Sequence, residues 1–185
     1  HNSYASIDIS KRSKVISKNG LKIQANKFIR RHGAALIEEY IVGDECTVLV
    51  AENPRDPERP IAYPPVKYVF PKGEAFKTED LKWVTYEGLS TARVTNTRLN
   101  GLLKQHASDL FVEMNAAGYA RIDVRIDQDG VPNVLEINAN CGIFYPEGSY
   151  ASADDCISLD AGGHPLFVRR LIAAARSRQR HAALV

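Results

Sequence analysis

The sequence lacks any long apolar run and contains few cysteines. No stretch approaches the roughly 20 consecutive apolar residues that a helix needs to cross a bilayer, so we expect no membrane partner. The cysteines number three, Cys46, Cys141 and Cys156, an odd count without CxxC spacing. They fit a reducing compartment better than a disulfide framework, and we therefore expect a cytoplasmic protein.

An excess of charge of one sign is also missing. The 185 residues include 24 Lys and Arg against 22 Asp and Glu, which gives a formal net charge of +2. Nucleic-acid binding usually shows a strong basic excess, so we expect no nucleic-acid partner. Hydrophobic residues make up 44% and charged residues 25% of the chain, as is typical of a globular protein. The length fits one domain or two small lobes that share a hinge.

Helical signals appear in three places. The pattern predicts a helix over Leu21 to Arg31 with Asn19 as its N-cap, and a longer helix over Leu99 to Ala117. A last helix is predicted to begin at Pro165, because proline is favoured at the first helical position. The acidic run Ala153-Asp154-Asp155 is interpreted as a turn.

Strand signals lie between the helices without a regular βαβ alternation. The β-rich runs 35–41 and 45–51 flank the turn signal Val42-Gly43-Asp44, so a hairpin is predicted there. Residues 61–70 predict another strand, which Pro64-Pro65 would make an edge or bulged one. This mixture predicts an α+β fold with a mainly antiparallel sheet flanked by helices.

The clearest pair of strands covers residues 120–127 and 134–138. The first run alternates strictly between apolar and charged residues, and Asp129-Gly130 is a strong hairpin signal. With these two residues as the loop, Asp123 faces Glu136 and Arg121 faces Asn138. The register therefore collects four polar side chains on one face of the hairpin.

Two opposed carboxylates need a compensating charge. Directly opposed residues have Cβ atoms about 4.5–5.5 Å apart, so ionised Asp123 and Glu136 would repel each other. A divalent cation compensates both, and hard oxygen ligands, including the amide of Asn138, suit Mg²⁺. The alternative is a solvated polar face. The neighbouring Arg121 and the small or polar Asn140-Cys141-Gly142 favour a site.

These segments resemble a known family. Residues 118–124 and 134–142 are similar to the metal-binding segment of ATP-grasp ligases, most closely to the C-terminal, ATP-binding region of D-alanine–D-alanine ligases. Residues 37–48, Ile-Glu-Glu-Tyr-Ile-Val-Gly-Asp-Glu-Cys-Thr-Val, resemble the adenine hinge of the same family. The resemblance extends from the first residues to about Gly142.

The resemblance implies a role for each metal-site residue. Asp123, Glu136 and Asn138 would hold the magnesium ions that bridge the ATP phosphates. Arg121 would stabilise negative charge on an acyl phosphate and on the tetrahedral intermediate, helped by the backbone N–H of Gly142.

The resemblance also implies a nucleotide site. Glu38 would accept from the adenine amino group, Tyr40 and Ile41 would line the base, and Glu45 would accept from the ribose hydroxyls. Leu135 would pack under the adenine from the apolar face of its strand.

Two further segments resemble loops of the family that contact phosphates. Phe76 and Lys82 resemble the loop that closes over the nucleotide, with Lys82 reaching the terminal phosphate. Ser3, within Asn2 to Ser6, resembles the loop whose N–H groups cover the phosphates.

The domain organisation expected from the resemblance has three parts. Residues 1–36 would be a remnant of the first, truncated ATP-grasp lobe with its phosphate loop, and residues 37–44 the adenine hinge. Residues 45–185 would be the second lobe, with the metal site and the C-terminal helix. The start at His1, without Met, is expected to be a break inside the phosphate loop. The isolated polypeptide should then bind nucleotide weakly and not turn over.

The resemblance implies an ATP-dependent carboxylate–amine ligase that acts through an acyl phosphate, with ATP and Mg²⁺ as cofactors. Expected partners are small-molecule amino acid or peptide substrates and the missing N-terminal domain of the same protein, with a homodimer left open. Cys141-Gly142 stands where these ligases usually have Pro-Gly, and aromatic and acidic residues follow. Two alternatives therefore stay open: a ligase for another amino acid or peptide, and a non-catalytic ATP-binding module.

Overall fold

The computed structural model describes residues 6–83, 88–149 and 151–182. In this part of the chain no helix is long and apolar enough to cross a membrane. A short 3₁₀ helix at Lys11–Ser13 comes before the main elements. These are α1 (Lys18–His32), β1 (Asp44–Ala51), β2 (Ile61–Ala62), β3 (Val66–Val69), α2 (Glu79–Trp83), β4 (Ser90–Arg93), α3 (Thr97–Glu113), β5 (Tyr119–Ile126), β6 (Pro132–Ala139), α4 (Ser152–Ser158) and α5 (Gly163–Ala182).

The chain divides into two compact units. The first comprises the described part of residues 1–41 together with 69–90, and the second the described part of residues 42–68 and 91–185. The boundary after residue 41 falls inside the predicted hinge, residues 37–44. The sequence did not indicate that residues 69–90 join the first unit. The assignment of 1–36, 37–44 and 45–185 to ATP-grasp lobes stays a prediction.

The sheet of the second unit has the strand order β4-β3-β1-β5-β6, with β2 also paired to β1. β1 is antiparallel to β2, β3 and β5, and β5 is antiparallel to β6. Every residue of β1 after Asp44 is buried, as expected of a central strand covered on both faces. The predicted α+β class with a mainly antiparallel sheet flanked by helices is confirmed.

The two faces of the sheet bury different helices. On one face, alternate residues of β1 and β5 pack against α3; on the other, the remaining apolar residues of β1 pack against α4 and α5. The first cluster includes Cys46, Val48, Val50, Leu103, Phe111, Ile122 and Val124, and the second Leu49, Ala51, Tyr63, Cys156, Ile157 and Phe167. Glu45 and Thr47 lie on the second face by the period of two along β1, so polar side chains extend this face beyond its apolar part.

The predicted hairpin around Val42-Gly43-Asp44 is wrong. Residues 34–43 form no strand, and β1 finds its partners in β5 on one side and in β2 and β3 on the other. The predicted strand over 61–70 is present as two short strands. Pro64 and Pro65 interrupt them, because proline cannot donate to a ladder.

The predicted helices exist with shifted ends. α1 begins after Ser17, whose hydroxyl accepts from the Gly20 N–H, so the N-cap is Ser17 and not Asn19. α3 ends at Glu113, four residues before the predicted end at Ala117. α5 begins at Gly163 rather than at Pro165. The acidic run interpreted as a turn lies in α4, which the sequence did not predict.

Gly43 lies against the end of β5 just before β1 begins. A β-carbon at this position would lie 1.7 Å from the carbonyl oxygen of Ile126, so Gly43→Ala must displace backbone. We expect this change to lower the free energy of unfolding by at least about 2 kcal/mol in urea titrations. Gly33→Ala is the control, because Gly33 has a φ of +82° but a β-carbon added there would meet no atom within 4 Å. It should cost about 1–2 kcal/mol, from backbone strain alone, and a larger loss at Gly33 than at Gly43 would contradict the steric explanation.

Candidate metal and nucleotide site

The β5–β6 hairpin carries a cluster of polar side chains in the predicted register. Asp123 pairs with Glu136, and Arg121 pairs with Asn138. Nearer the turn the register shifts by one residue, because Val124 pairs with Val134 and leaves Leu135 as an extra residue on β6. The turn is longer than the predicted two residues, since the ladder ends at the pair Ile126 and Pro132.

The carboxylate of Asp123 is buried and accepts at least four hydrogen bonds. Arg121 donates two of them, from Nε to Oδ1 and from Nη2 to Oδ2, each at 2.9 Å. Thr47 on β1 donates to Oδ1 at 2.7 Å, and the amide nitrogen of Asn138 lies 3.4 Å from Oδ2. A carboxylate has about four lone-pair sites, so the acceptor capacity of Asp123 is filled.

Arg121 supplies the compensating charge for Asp123. Burial of the guanidinium works against its charged form, but the charge and hydrogen bonds of Asp123, together with Tyr68 and Cys141, outweigh this cost, and the pKa of Arg121 lies above its ordinary value. Glu136 is exposed and is joined to the cluster by the Asn138 amide nitrogen, 3.1 Å from its Oε1. Two carboxylates and one guanidinium leave the cluster with a formal charge of −1, which attracts a cation.

The side chain of Asn138 bridges the two carboxylates. Its amide nitrogen contacts Oδ2 of Asp123 and Oε1 of Glu136. Turning the amide by 180° replaces this donor by an oxygen, so that three hard oxygens would surround one point. This donor set fits Mg²⁺. No group of three or more His, Cys, Asp and Glu in the described ranges could hold a metal ion, so a metal here depends on Asn138 as the third ligand.

A second charge pair continues the polar face toward the start of β1. Glu45 and Arg125, directly opposed in the ladder, form an ion pair at 3.0 Å with both side chains 6% exposed. Arg125 also donates to the carbonyl of Gly43. Thr47 follows Glu45 on the same face and contacts Asp123, which links the pair to the cluster. Sequence reasoning missed Thr47 and Arg125, because it paired β1 with residues 35–41 instead of β5.

An aromatic pair lies in the first unit. Tyr40 and Phe76 meet edge to face with ring centroids 5.8 Å apart, and Lys14 Nζ lies 3.8 Å from the centroid of the Tyr40 ring. Glu38 is exposed and Ile41 half-buried in the same unit. The sequence named both rings, but it gave no signal for Lys14.

The remaining predicted site residues are scattered or undescribed. Ser3 lies outside the described residues, and Lys82 lies in α2 with a side chain that is not described. Leu135 is 48% exposed and is the extra residue of the bulge. Gly142 is exposed and lies beside the Tyr145 ring.

The three cysteines are free and buried. Burial raises the pKa of Cys46 and Cys156 to about 12, and that of Cys141 to about 11 although Arg121 acts in the opposite direction. Because the thiolate is the reactive form, we expect iodoacetamide at pH 8 to label the folded protein at least about a hundredfold more slowly than free cysteine. The rate should rise with pH up to these pKa values. Mass spectrometry counts the labels, and rapid labelling of Cys141 at pH 8 would contradict the assignment.

Comparisons with known proteins agree with this fold. A family model described as "D-ala D-ala ligase C-terminus" matches residues 5–147, which confirms the resemblance in the sequence. A D-alanine–D-alanine ligase of Ruthia magnifica subsp. Calyptogena magnifica is 29% identical over 144 residues, which cover 75% of this chain and 44% of that protein. The chain spans less than half the length of the curated relatives it matches.

Two solved structures share the fold. The D-alanine–D-alanine ligase of Coxiella burnetii matches with a TM-score of 0.67 and 17% identity, over 92% of this chain and 43% of that one. The D-alanine–D-alanine ligase of Bacillus anthracis, solved in complex with ATP, matches with a TM-score of 0.66 and 16% identity, over 90% of this chain and 50% of that one. At these identities the likeness shows the fold.

Proposed function

The chain belongs to the D-ala D-ala ligase C-terminus family, and we propose that it is the nucleotide- and metal-binding part of an ATP-dependent carboxylate–amine ligase. The observation that carries the proposal is the joined cluster of Arg121, Asp123, Asn138 and Glu136 on the β5–β6 hairpin. Phosphoryl transfer depends mainly on positioning and on stabilisation of charge, and this cluster provides fixed groups of both signs.

Mg²⁺ is the proposed metal. Asp123, Glu136 and Asn138 would hold it, and when bound it would neutralise phosphate charge. Asp123 can take a cation only by giving up one of its four donors. The Asn138 contact, at 3.4 Å, is the longest of the four and the easiest to replace. Arg121 stays fixed by its two hydrogen bonds to Asp123, so its position does not depend on the amide turning.

The proposed reaction has two steps. A substrate carboxylate oxygen attacks the γ-phosphorus of ATP, and the bond to ADP breaks, which gives an acyl phosphate. An amine then attacks the acyl carbon and loses a proton, and phosphate leaves as the C–N bond is completed. Arg121 would stabilise the negative charge in both steps, and the N–H of Gly142 would donate to the carbonyl oxygen. The buried ion pair keeps the guanidinium charged and oriented.

The nucleotide assignments are proposed for each unit separately. In the first unit we assign the base to Tyr40, Phe76 and Ile41, supported by the edge-to-face pair of rings, and its amino group to the exposed Glu38. In the second unit the ribose hydroxyls are assigned to Glu45. The contacts of Ser3, Lys82 and Leu135 with ATP stay predictions.

We propose amino acid or peptide substrates and a further N-terminal domain of the same protein as partners. The chain's short coverage of its relatives supports the second of these. Three buried thiols support the cytoplasm as the location. Association of two copies stays a prediction, which sedimentation of the full-length protein would test.

A phosphate-release screen of the full-length protein tests the proposal. We expect release that needs both MgATP and a pair of D- or L-amino acids, and the accepted pair identifies the substrates. Asp109→Asn is the matched control, because Asp109 is an exposed acid on α3 whose hydrogen bond is to Gln105. It should leave release unchanged. Nucleotide binding without release for any pair would favour a non-catalytic ATP-binding module and overturn the ligase.

A further inference from the structure

Asp154 in α4 is a fully buried carboxylate with three partners. It accepts from the backbone N–H of Phe144 at 2.7 Å and from that of Tyr145 at 3.4 Å. His164 Nε2, at the start of α5, lies 2.8 Å from its Oδ1. Burial of a charged group is costly unless it is hydrogen-bonded, so this carboxylate requires the segment that it binds.

The bound segment follows β6 and holds an unusual backbone. Phe144 has a φ of +66°, a left-handed conformation that a residue with a large side chain adopts only when its surroundings enforce it. The Asp154 carboxylate fixes the N–H of this residue. Phe144 is 56% exposed, and its ring centroid lies 6.3 Å from that of Phe167 and 6.0 Å from that of His164, so only part of the ring is packed.

The Asp154 carboxylate also holds Tyr145, through the backbone N–H of that residue. A β-carbon on Gly142 would lie 2.8 Å from the Tyr145 hydroxyl oxygen, so the phenol occupies the space beside the Gly142 backbone. Cys141, the preceding residue, is buried and lies three residues after Asn138 of the cluster, just beyond the end of β6. The segment therefore begins beside the polar cluster.

From this geometry we propose that Asp154 is a positioning residue for the segment Gly142–Tyr145, and that Tyr145 limits the size of the amine substrate. The inference rests on the proposed function, in which the Gly142 N–H contacts the carbonyl oxygen that the amine approaches. Because the phenol takes up space beside Gly142, we expect an amino acid with a small side chain to be accepted and a bulky one to be excluded. Tyr145 is therefore a specificity residue, whereas Asp154 acts through the backbone that it holds.

The first arm of the test measures positioning without activity. Hydrogen exchange of the Phe144 and Tyr145 amides should accelerate at least about tenfold in Asp154→Asn, with the sheet unchanged. Asp155→Asn is the control, because this neighbouring acid bonds Thr91 and not the segment. If Asp154→Asn does not fold, His164→Ala keeps the carboxylate, removes one partner and should give a smaller acceleration. Unchanged exchange in a folded variant overturns the positioning role.

The second arm measures substrate selection in the full-length protein. Tyr145→Ala should raise kcat/KM for bulky amines relative to small ones at least about tenfold, with the KM for ATP unchanged. Asp154→Asn should relax selection in the same direction, whereas Asp155→Asn should not. If Tyr145→Ala instead lowers kcat/KM for bulky amines, the ring binds these substrates, and the proposed size limit is wrong. If the wild type releases no phosphate with any pair, the proposed function fails and the Tyr145 assignment fails with it, while the exchange arm still decides on Asp154.

Discussion

Asp123→Asn is expected to slow magnesium-dependent phosphate release about a thousandfold and also to destabilise the fold. The activity falls because the change removes a proposed metal ligand and releases the Arg121 guanidinium, each of which serves charge stabilisation. The free energy of unfolding should fall by about 3 kcal/mol, because a buried arginine loses its carboxylate. Because the Arg121 side chain is 18% exposed, the expected loss of stability lies at the low end of the range for breaking a buried ion pair. Phosphate release and urea unfolding measure the two effects.

Glu136→Gln separates the two effects. Glu136 is exposed and accepts a hydrogen bond from the Asn138 amide nitrogen, as a glutamine oxygen also can. We therefore expect a loss of release comparable to that of Asp123→Asn, with a free energy of unfolding within about 0.5 kcal/mol of the wild type. Magnesium-dependent release that survives both changes together would show that the metal assignment is wrong.

The sequence predicted the β5–β6 register at the site, although not its turn. Strict alternation and Asp129-Gly130 are local signals, and strands adjacent in the chain often pair. The prediction placed two residues in the loop, whereas the ladder ends at Ile126 and Pro132. The bulge at Leu135 adds the residue that restores the pairing of Asp123 with Glu136. Nothing in the local pattern signals a bulge, so the extra residue at Leu135 was not predicted.

The partners of β1 were not predictable in the same way. The run 35–41 has high β-propensity and is near in sequence, but propensity does not determine which strands pair. β1 is buried on both faces and lies at the centre of the sheet. Its longest ladder is with β5, which lies about 75 residues away along the sequence. The contact of Thr47 with Asp123 depends on this distant pairing.

The two acids of α4 also differ from the prediction. The sequence interpreted Ala153-Asp154-Asp155 as a turn, although acids such as Asp154 are buried in proteins when they are paired. In the structure Asp154 is bound by His164 and by two backbone N–H groups, and Asp155 by Thr91. These partners lie 9–64 residues away, beyond the reach of a local pattern.

Arg125→Met is the second change with a large expected effect. Arg125 and Glu45 are each 6% exposed, so removal of the guanidinium leaves a buried carboxylate without its ion-pair partner. We expect the free energy of unfolding to fall by about 3–5 kcal/mol in urea titrations. The double variant Glu45→Leu and Arg125→Met removes both charges and should recover most of the lost stability. Apolar replacement of a buried ion pair often leaves the free energy of unfolding unchanged. A double variant as unstable as Arg125→Met would mean that lost packing, and not the ion pair, sets the cost.

The double variant also tests the ribose assignment of Glu45. A hydrogen bond to a charged group contributes about 1.5–3 kcal/mol, so loss of the carboxylate should weaken ATP binding about tenfold or more. Because the fold is expected to survive, calorimetric titration of the full-length protein measures this loss separately from unfolding. Arg121 and Asp123 lie on β5 at least two residues from Arg125, and they keep their own pairing in the double variant. The proposed contacts with the phosphates should therefore remain. If a folded double variant binds ATP with wild-type affinity, the ribose assignment is wrong. Glu45 would then serve only to neutralise Arg125, and another residue would accept from the ribose hydroxyls.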